Sequence, residues 1–378
     1  MKKIDPKVDE AIQTLNMKDG PTRRRLLSGT GLVSATAAAS ALLTACSSSK
    51  SGASGTAGAG NFPKTPKWTF WFVNHVTTNP FFVPTTYGAA DASALLNCSY
   101  KWGGSTTSAV PEMVSYMNTA ISGKADGIAV AVIDVHAFTT PTANALSQGI
   151  PVVSYNADGA VGNPGTARLA YIGQDLFVSG QELGKRIVAT MPSGGDAVGF
   201  IATPGTLNIQ PRIDGAAQAI KASGKNINFK EIPSGAALAD ESTKINAYVL
   251  SHKSSLKGIF AVDAGSTQTV GQIVKKYNLQ SQVSSGGFDL NPQTLQEIKA
   301  GSLGFTIDQQ PYLQGFLPVL YLYLYKLSGG LTAPPTTNTG LLFVTKSNVG
   351  PYLTTSSRYE GSTTAEKYIP RSGPIAAS

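Results

Sequence analysis

Short apolar runs alternate with segments of helical period along most of this chain, regularly enough to predict its elements one by one. The clearest unit spans Ala125 to Gly159. Ile128 to Ile133 is a continuous apolar run, the pattern of a parallel strand buried on both faces. Asp134 ends it. A helix is expected through Phe138 to Leu146, with Pro141 tolerable only in its first turn and Gly149 as a left-handed stop. Ile150 to Tyr155 opens the next strand at once.

Ahead of this unit, Trp68 to Val73 reads as a strand with Asn74 to Phe82 as its exit loop. A helix at Val83 to Leu96, a strand near Ser99 to Trp102 and a helix at Pro111 to Ser122 follow. Behind it, a second series begins near Tyr171. Helix 176–190, strand Ala197 to Ile201, the polar loop Thr203 to Gln210 and helix 211–223 lead to strand Phe229 to Ile232 and helix Asp240 to Leu250. Strand Gly258 to Val262, helix Ser266 to Tyr277, strand Val283 to Phe288, helix Pro292 to Ala300 and strand Leu303 to Ile307 continue the rhythm. Such alternation predicts an α/β fold of two doubly wound parallel-sheet lobes. Leu313 to Leu327 is apolar, but it is short for a membrane span and Pro318 interrupts it, so a helix packed on a sheet is expected there. The tail, 351–378, has weak periodicity.

Open parallel sheets bind ligands outside the carboxyl ends of their strands. That rule gathers Asp134, His136, Tyr155, Asn156 and Asp158 near one candidate site, with turn capping an equal reading for Asp134 and Asp158. His75, just past the first strand, either contacts ligand or fills the turn. Arg212, at a helix start, suits ligand contact or an ion pair equally.

Composition changes the picture mainly at the amino end. The 378 residues are 42% hydrophobic, as in soluble globular proteins, and the formal net charge is +8. Residues 1–45 hold seven Lys and Arg and four Asp and Glu, so the remainder carries a formal +5, scattered without basic blocks or interleaved aromatics. Nucleic acid is therefore not an expected partner. Arg23-Arg24 behind Thr22, then a small-residue apolar segment from Gly29, look like a twin-arginine export leader. Leu43-Thr44-Ala45-Cys46 resembles a lipobox, which predicts removal of 1–45 and lipidation of Cys46. The Gly/Ser-rich stretch within 46–65 reads as a flexible tether. Cys98 is then the remaining thiol, expected to be a small buried hydrophobe.

Catalytic chemistry finds little support. His75, His136 and His252 share no short metal spacing, and neither a Gly-x-Ser-x-Gly elbow nor a Walker loop occurs. Thr203-Pro204-Gly205-Thr206 is read as an ordinary turn. A repressor would need a helix-turn-helix header where the leader stands. No enzyme activity, cofactor or metal is expected.

One set of segments carries a family resemblance: Asn79-Pro80-Phe81-Phe82, Ala125-Asp126-Gly127-Ile128, Gly149-Ile150-Pro151-Val152-Val153, Gly287-Phe288-Asp289 and Thr306-Ile307-Asp308-Gln309-Gln310-Pro311. In order and position they resemble the type I periplasmic binding proteins, specifically the ribose-binding-protein-like receptors of ABC transporters, over about residues 66–350. The resemblance implies an amino-terminal lobe of 66–174 plus 310–339 and a carboxy-terminal lobe of 175–309 plus 340–350, joined by a three-segment hinge and closing on a sugar or sugar alcohol. It implies ligand contacts from Asn79, Phe81 and Phe82, with Phe82 stacking on the ligand, and from Asn156, Asn208 or Gln210, Arg212, Asp263, Asp289 and Gln309. Asn156 and Ala157 stand where many sugar-binding members carry Asp and Arg, which favours an acyclic polyol or modified sugar over a pentose or hexose. The implied partners are an ABC permease with its ATPase, reached from a lipid-anchored, extracytoplasmic monomer. A sensor presenting ligand to a receptor kinase is the alternative.

Overall fold

Two six-stranded sheets are built the same way from successive stretches of the chain. The computed structural model describes residues 63–159, 168–331 and 333–354, all but Pro63 within one unit that begins at Lys64. The expected leader, Cys46, nearly all of the tether and most of the tail lie outside the described residues. The first sheet holds β1 (Thr69–Asn74), β2 (Ser99–Gly104), β3 (Gly127–Val130), β4 (Val152–Tyr155), β5 (Tyr171–Gly173) and β11 (Thr336–Asn338), ordered β2-β1-β3-β4-β5-β11. The second holds β6 (Gly195–Ile201), β7 (Ile227–Pro233), β8 (Leu256–Ala261), β9 (Ser284–Phe288), β10 (Phe305–Asp308) and β12 (Leu342–Thr345), ordered β7-β6-β8-β9-β10-β12. All pairings are parallel except that of β10 with β12.

Helices on both faces explain why the strands read as unbroken apolar runs. Phe70 and Phe72 of β1 enter one core with Val153 and Ile172, while Trp71 and Val73 enter another with Ile128 and Val130. The helices are α1 (Val83–Leu95), α2 (Val110–Ser122), α3 (Val135–Ser147), α4 (Leu176–Thr190), α5 (Gln210–Ala222), α6 (Leu238–His252), α7 (Ala264–Lys276), α8 (Pro292–Ala300), α9 (Leu313–Ser328) and α10 (Gly350–Thr354).

The chain passes between the sheets after β5, after β10 and between β11 and β12. The three passages are bonded to one another. Gln174 Nε2 donates to the Gly340 carbonyl at 3.1 Å, and Thr339 Oγ1 donates to the Gln309 carbonyl at 2.8 Å.

Two helices hold a proline where the sequence did not lead one to expect it, and two strands are additional. Helix α3 starts at Val135 because the Asp134 carboxylate caps it by accepting from the Ala137 N–H, which places Pro141 inside the helix. Pro318 does not interrupt α9. The ring forgoes one backbone bond, but Val319 and Leu322 beside it are wholly buried with Phe70 and Phe72, and that packing holds the helix. No helix among the described residues is long and apolar enough to cross a membrane. Strands β11 and β12 were not expected; β11 reads Thr-Thr-Asn and forms by pairing with β5.

Candidate functional site

The strand register sets the floor of the site. Val73 pairs with Val130, and Val130 with Ser154, so the residues after β1 and β4 emerge at one edge of the first sheet. His75 Nε2 and Asn156 Oδ1 meet there at 3.2 Å. Burial pulls the His75 pKa down to about 4, so the imidazole is neutral at physiological pH.

A chain of amides then runs from Asn156 to the second sheet, and its two ends fix every orientation in it. The Gln309 carbonyl can only accept, so Gln314 Nε2, 3.2 Å away, donates; Gln314 Oε1 is left to accept from Asn156 Nδ2 at 3.1 Å. At the other end the Asp289 carboxylate accepts from Gln309 Nε2 at 2.7 Å, and Gln309 Oε1 accepts from Gln314 Nε2 at 3.1 Å. Asn156 Oδ1 is therefore an acceptor and His75 Nε2 carries the proton. His75 Nδ1 is then a bare acceptor, and it has no partner within the protein.

Arg212 is the largest fully buried side chain among the described residues. Helices α4 and α5 pass so closely that a Cβ on Gly180 would lie 2.3 Å from the Arg212 carbonyl oxygen, and this contact seats the first turn of α5. Its guanidinium donates to the Val262 carbonyl at 2.8 Å and to Gln174 Oε1 at 2.9 Å, and lies 4.1 Å from the Phe288 ring centroid. Nε has no partner. Burial pulls the guanidinium below its ordinary pKa, while Asp289, Tyr171 and Asp263 favour its charge. Asp289 follows β9 with a left-handed φ of 77°, and burial raises its pKa to about 6 against the opposing pull of Arg212 and Gln309. Asp263 caps α7, one carboxylate oxygen accepting from the Ser266 N–H and the other from the Ala202 N–H, each at 2.9 Å.

These groups surround one open cleft of about 580 Å³, solvent at its mouth included. His75, Asn79, Phe81, Phe82 and Asn156 line it from the first sheet's side, with Asn208, Arg212, Asp263, Asp289 and Gln309 opposite. Asn79 accepts from the Phe81 N–H at 2.9 Å, so its carbonyl starts the short turn that presents both rings. Phe82 packs edge-on against His75 at 5.2 Å and beside Trp102, leaving 2% exposed. Phe81 is the ring left partly uncovered.

Asp134, His136, Tyr155, Asp158 and Gln210, all expected at the site, do not line the cleft. Asp134 is an exposed cap of α3. Tyr155 is wholly buried because its side chain takes the sheet face that holds Phe72, and its hydroxyl accepts from Asn74 Nδ2 at 2.8 Å. Gln210 is spent on the Gly205 N–H, Asp214 and Glu231. Asp158 is ion-paired with Arg168. Sequence reasoning missed Glu241, a cleft residue in the first turn of α6, where an acid reads as an ordinary complement to the helix dipole. It also missed Gln174, Gln314 and Thr339, whose partners lie far away in sequence.

The sequence model described as "Periplasmic binding protein domain" matches residues 70–329. The chain belongs to this family. Periplasmic binding proteins capture solutes and are not enzymes. The xylose/arabinose-binding protein of Sulfolobus acidocaldarius is 50% identical over 319 residues, covering 82% of this chain and 78% of that protein. A carbohydrate transporter protein from Acidothermus cellulolyticus, solved in complex with myo-inositol, is 29% identical with a TM-score of 0.69, covering 79% of this chain and 100% of that one. An ABC transporter solute-binding protein from Burkholderia graminis, solved with D-arabinose, shares the fold at 23% identity and a TM-score of 0.70, covering 77% of this chain and 99% of that one.

Proposed function

We propose that this chain is an extracytoplasmic solute-binding lipoprotein of an ABC importer, which captures a sugar or sugar alcohol in the cleft and delivers it to a membrane permease. The observation that carries this reading is that three residues lining one cavity, Arg212, His75 and Asn208, each hold a buried polar atom without a protein partner: Nε, Nδ1 and Oδ1 respectively. A buried donor or acceptor left unpaired costs about 1–3 kcal/mol, which a ligand bearing several hydroxyls recovers. Phe81 supplies apolar cover for C–H faces, and Asp289 and Asp263 accept from hydroxyls.

The relatives support the ligand class. One is named for two pentoses and another was solved with a cyclitol, so pentoses stand beside the polyols that Asn156 and Ala157 favour. The lobes we assign are 66–174 plus 310–339 and 175–309 plus 340–350, closing about the passages at Gln174, Gln309 and Gly340. Export through the twin-arginine leader, lipidation at Cys46 and a monomeric state complete the proposal. A thermal-shift panel of D-xylose, L-arabinose and myo-inositol on the leaderless protein tests it, because ligand that binds only the folded state raises Tm. No shift with any neutral sugar or polyol, at millimolar concentration, rejects the reading.

A further inference from the structure

The cleft holds a second carboxyl where one charge already stands. Glu241 lines it with only 4% of its surface exposed, and Ser266 ties it to Asp263: the Ser266 hydroxyl lies 3.4 Å from Glu241 Oε1 while its N–H donates to Asp263 Oδ1 at 2.9 Å. Two carboxyls held this close on one cleft wall favour keeping one proton between them over two charges. The surroundings decide which one carries it. Both Asp263 oxygens accept backbone N–H groups at 2.9 Å, an arrangement suited to the ionised form at the start of a helix. Glu241 has no such donors; the contact to it is Ser266 Oγ at 3.4 Å, and that hydroxyl is shared with Ser234 Oγ at 2.7 Å. The fold also reserves space for the Glu241 head group. A Cβ on Gly265 would lie 1.9 Å from Glu241 Oε2, so any side chain at the first turn of α7 would displace it.

We propose that Glu241 is a neutral carboxylic acid that shares its proton with Asp263, and that the pair is a specificity element reading a ligand hydroxyl as both donor and acceptor. This rests on the sugar-binding reading above. A hydroxyl that enters between the two replaces their shared contact, accepting the Glu241 proton and donating its own to the Asp263 carboxylate. A ligand carboxylate there would meet the Asp263 charge with a single proton between them, so the pair selects uncharged polyhydroxyl ligands over the corresponding sugar acids.

Burial, then the Asp263 charge, pushes the Glu241 pKa up to about 9. The ionisable groups around it are Asp240 and Lys244 on its own helix and Asp263 on α7; beyond Asp263 stand Arg212 on α5 and Asp289 after β9. An acid whose folded pKa lies above its unfolded one favours folding fully below the unfolded value and loses that advantage as pH rises toward the folded value.

Two measurements test the pair, the first without any ligand. In the leaderless protein, the Tm of Glu241→Gln minus that of the parent should grow steadily from pH 5 to pH 9, because Gln has no proton to hold; a flat difference over that range overturns the neutral-acid assignment. The second is calorimetry with D-xylose and D-xylonate. Xylose affinity should fall at least tenfold in the parent between pH 7 and pH 10 and less than threefold in Glu241→Gln, and xylonate should bind the parent at least tenfold more weakly than xylose at pH 7. Equal binding of xylonate, or the same alkaline loss in the variant, overturns the specificity role. If no neutral sugar binds the parent, the sugar-binding reading fails and takes the specificity role with it, while the Tm series still decides the protonation of Glu241.

Discussion

Asn156 and Asp289 occupy the same place in the two sheets: each is the first residue after a central strand, β4 or β9, and each has a left-handed φ, 62° and 77°. Asn and Asp tolerate that conformation better than other side chains with a Cβ. The two residues are also bonded to each other through Gln314 and Gln309, so an amide from one sheet and a carboxylate from the other form one network across the passages.

That network predicts how substitutions at its ends differ. Asp289→Asn keeps the backbone conformation and the shape but removes the charge. Bonds to a charged acceptor contribute about 1.5–3 kcal/mol against roughly 1 for a neutral pair, so sugar affinity should fall by about tenfold or more with the fold retained. Calorimetry beside circular dichroism reads both. Parent-like affinity in Asp289→Asn would place the ligand elsewhere.

Gln314 does not itself line the cleft, yet it orients Asn156 and Gln309, which do. Gln314→Glu removes the N–H groups that Gln309 and Thr339 accept and should cost about 1–3 kcal/mol in denaturant unfolding. Affinity should drop as well, by destroying the orientation of Gln309. Unfolding midpoints equal to the parent's would count against the relay.

The two phenylalanines separate stability from binding. Phe82 is nearly wholly buried, so Phe82→Ala should destabilise by about 3–5 kcal/mol. Phe81→Ala should change stability by less than about half of that, while weakening sugar binding through lost apolar cover. Melting curves with and without D-xylose distinguish them; equal losses of stability would show that Phe81 is a core residue too.

His75 gives an acid-side signature. Its folded pKa of about 4 lies below the usual 6.5, so the unfolded chain takes up the proton first and stability is lost as pH falls from 6.5 through 4. Asp289, raised to about 6, opposes this over part of the range, so the comparison must be with a variant. His75→Gln should show a smaller Tm loss between pH 6.5 and 4 than the parent. The same slope in both would mean that His75 is charged in the folded state.

The proposed membrane anchor rests on Cys46. Cys46→Ala should move the protein from the membrane to the soluble fraction of cells. Retention on membranes after a high-salt wash would rule out the lipid anchor.

Much of this architecture is written locally. The run Ile128 to Ile133 announces a strand buried on both faces, Pro292 and Gly301 bracket α8, and the repeated alternation predicts two parallel-sheet lobes, because strand and helix periods depend only on neighbours in the sequence. The polar residues beyond the strands were legible as candidates for the same reason. What they do was not. Asp134 and Asp263 follow corresponding strands and cap their helices alike, yet one is exposed and the other is partly buried in the cleft near Glu241. Tyr155 and Asn156 are neighbours, but the strand's two-residue period sends one into the core while the left-handed turn sends the other to the cleft. Glu241 meets Asp263, and Asn156 meets Gln314, only when the sheets and the three passages are assembled. Burial and partnership, which set the charge of a carboxyl and the orientation of an amide, are properties of contacts between distant segments, and no local pattern encodes them.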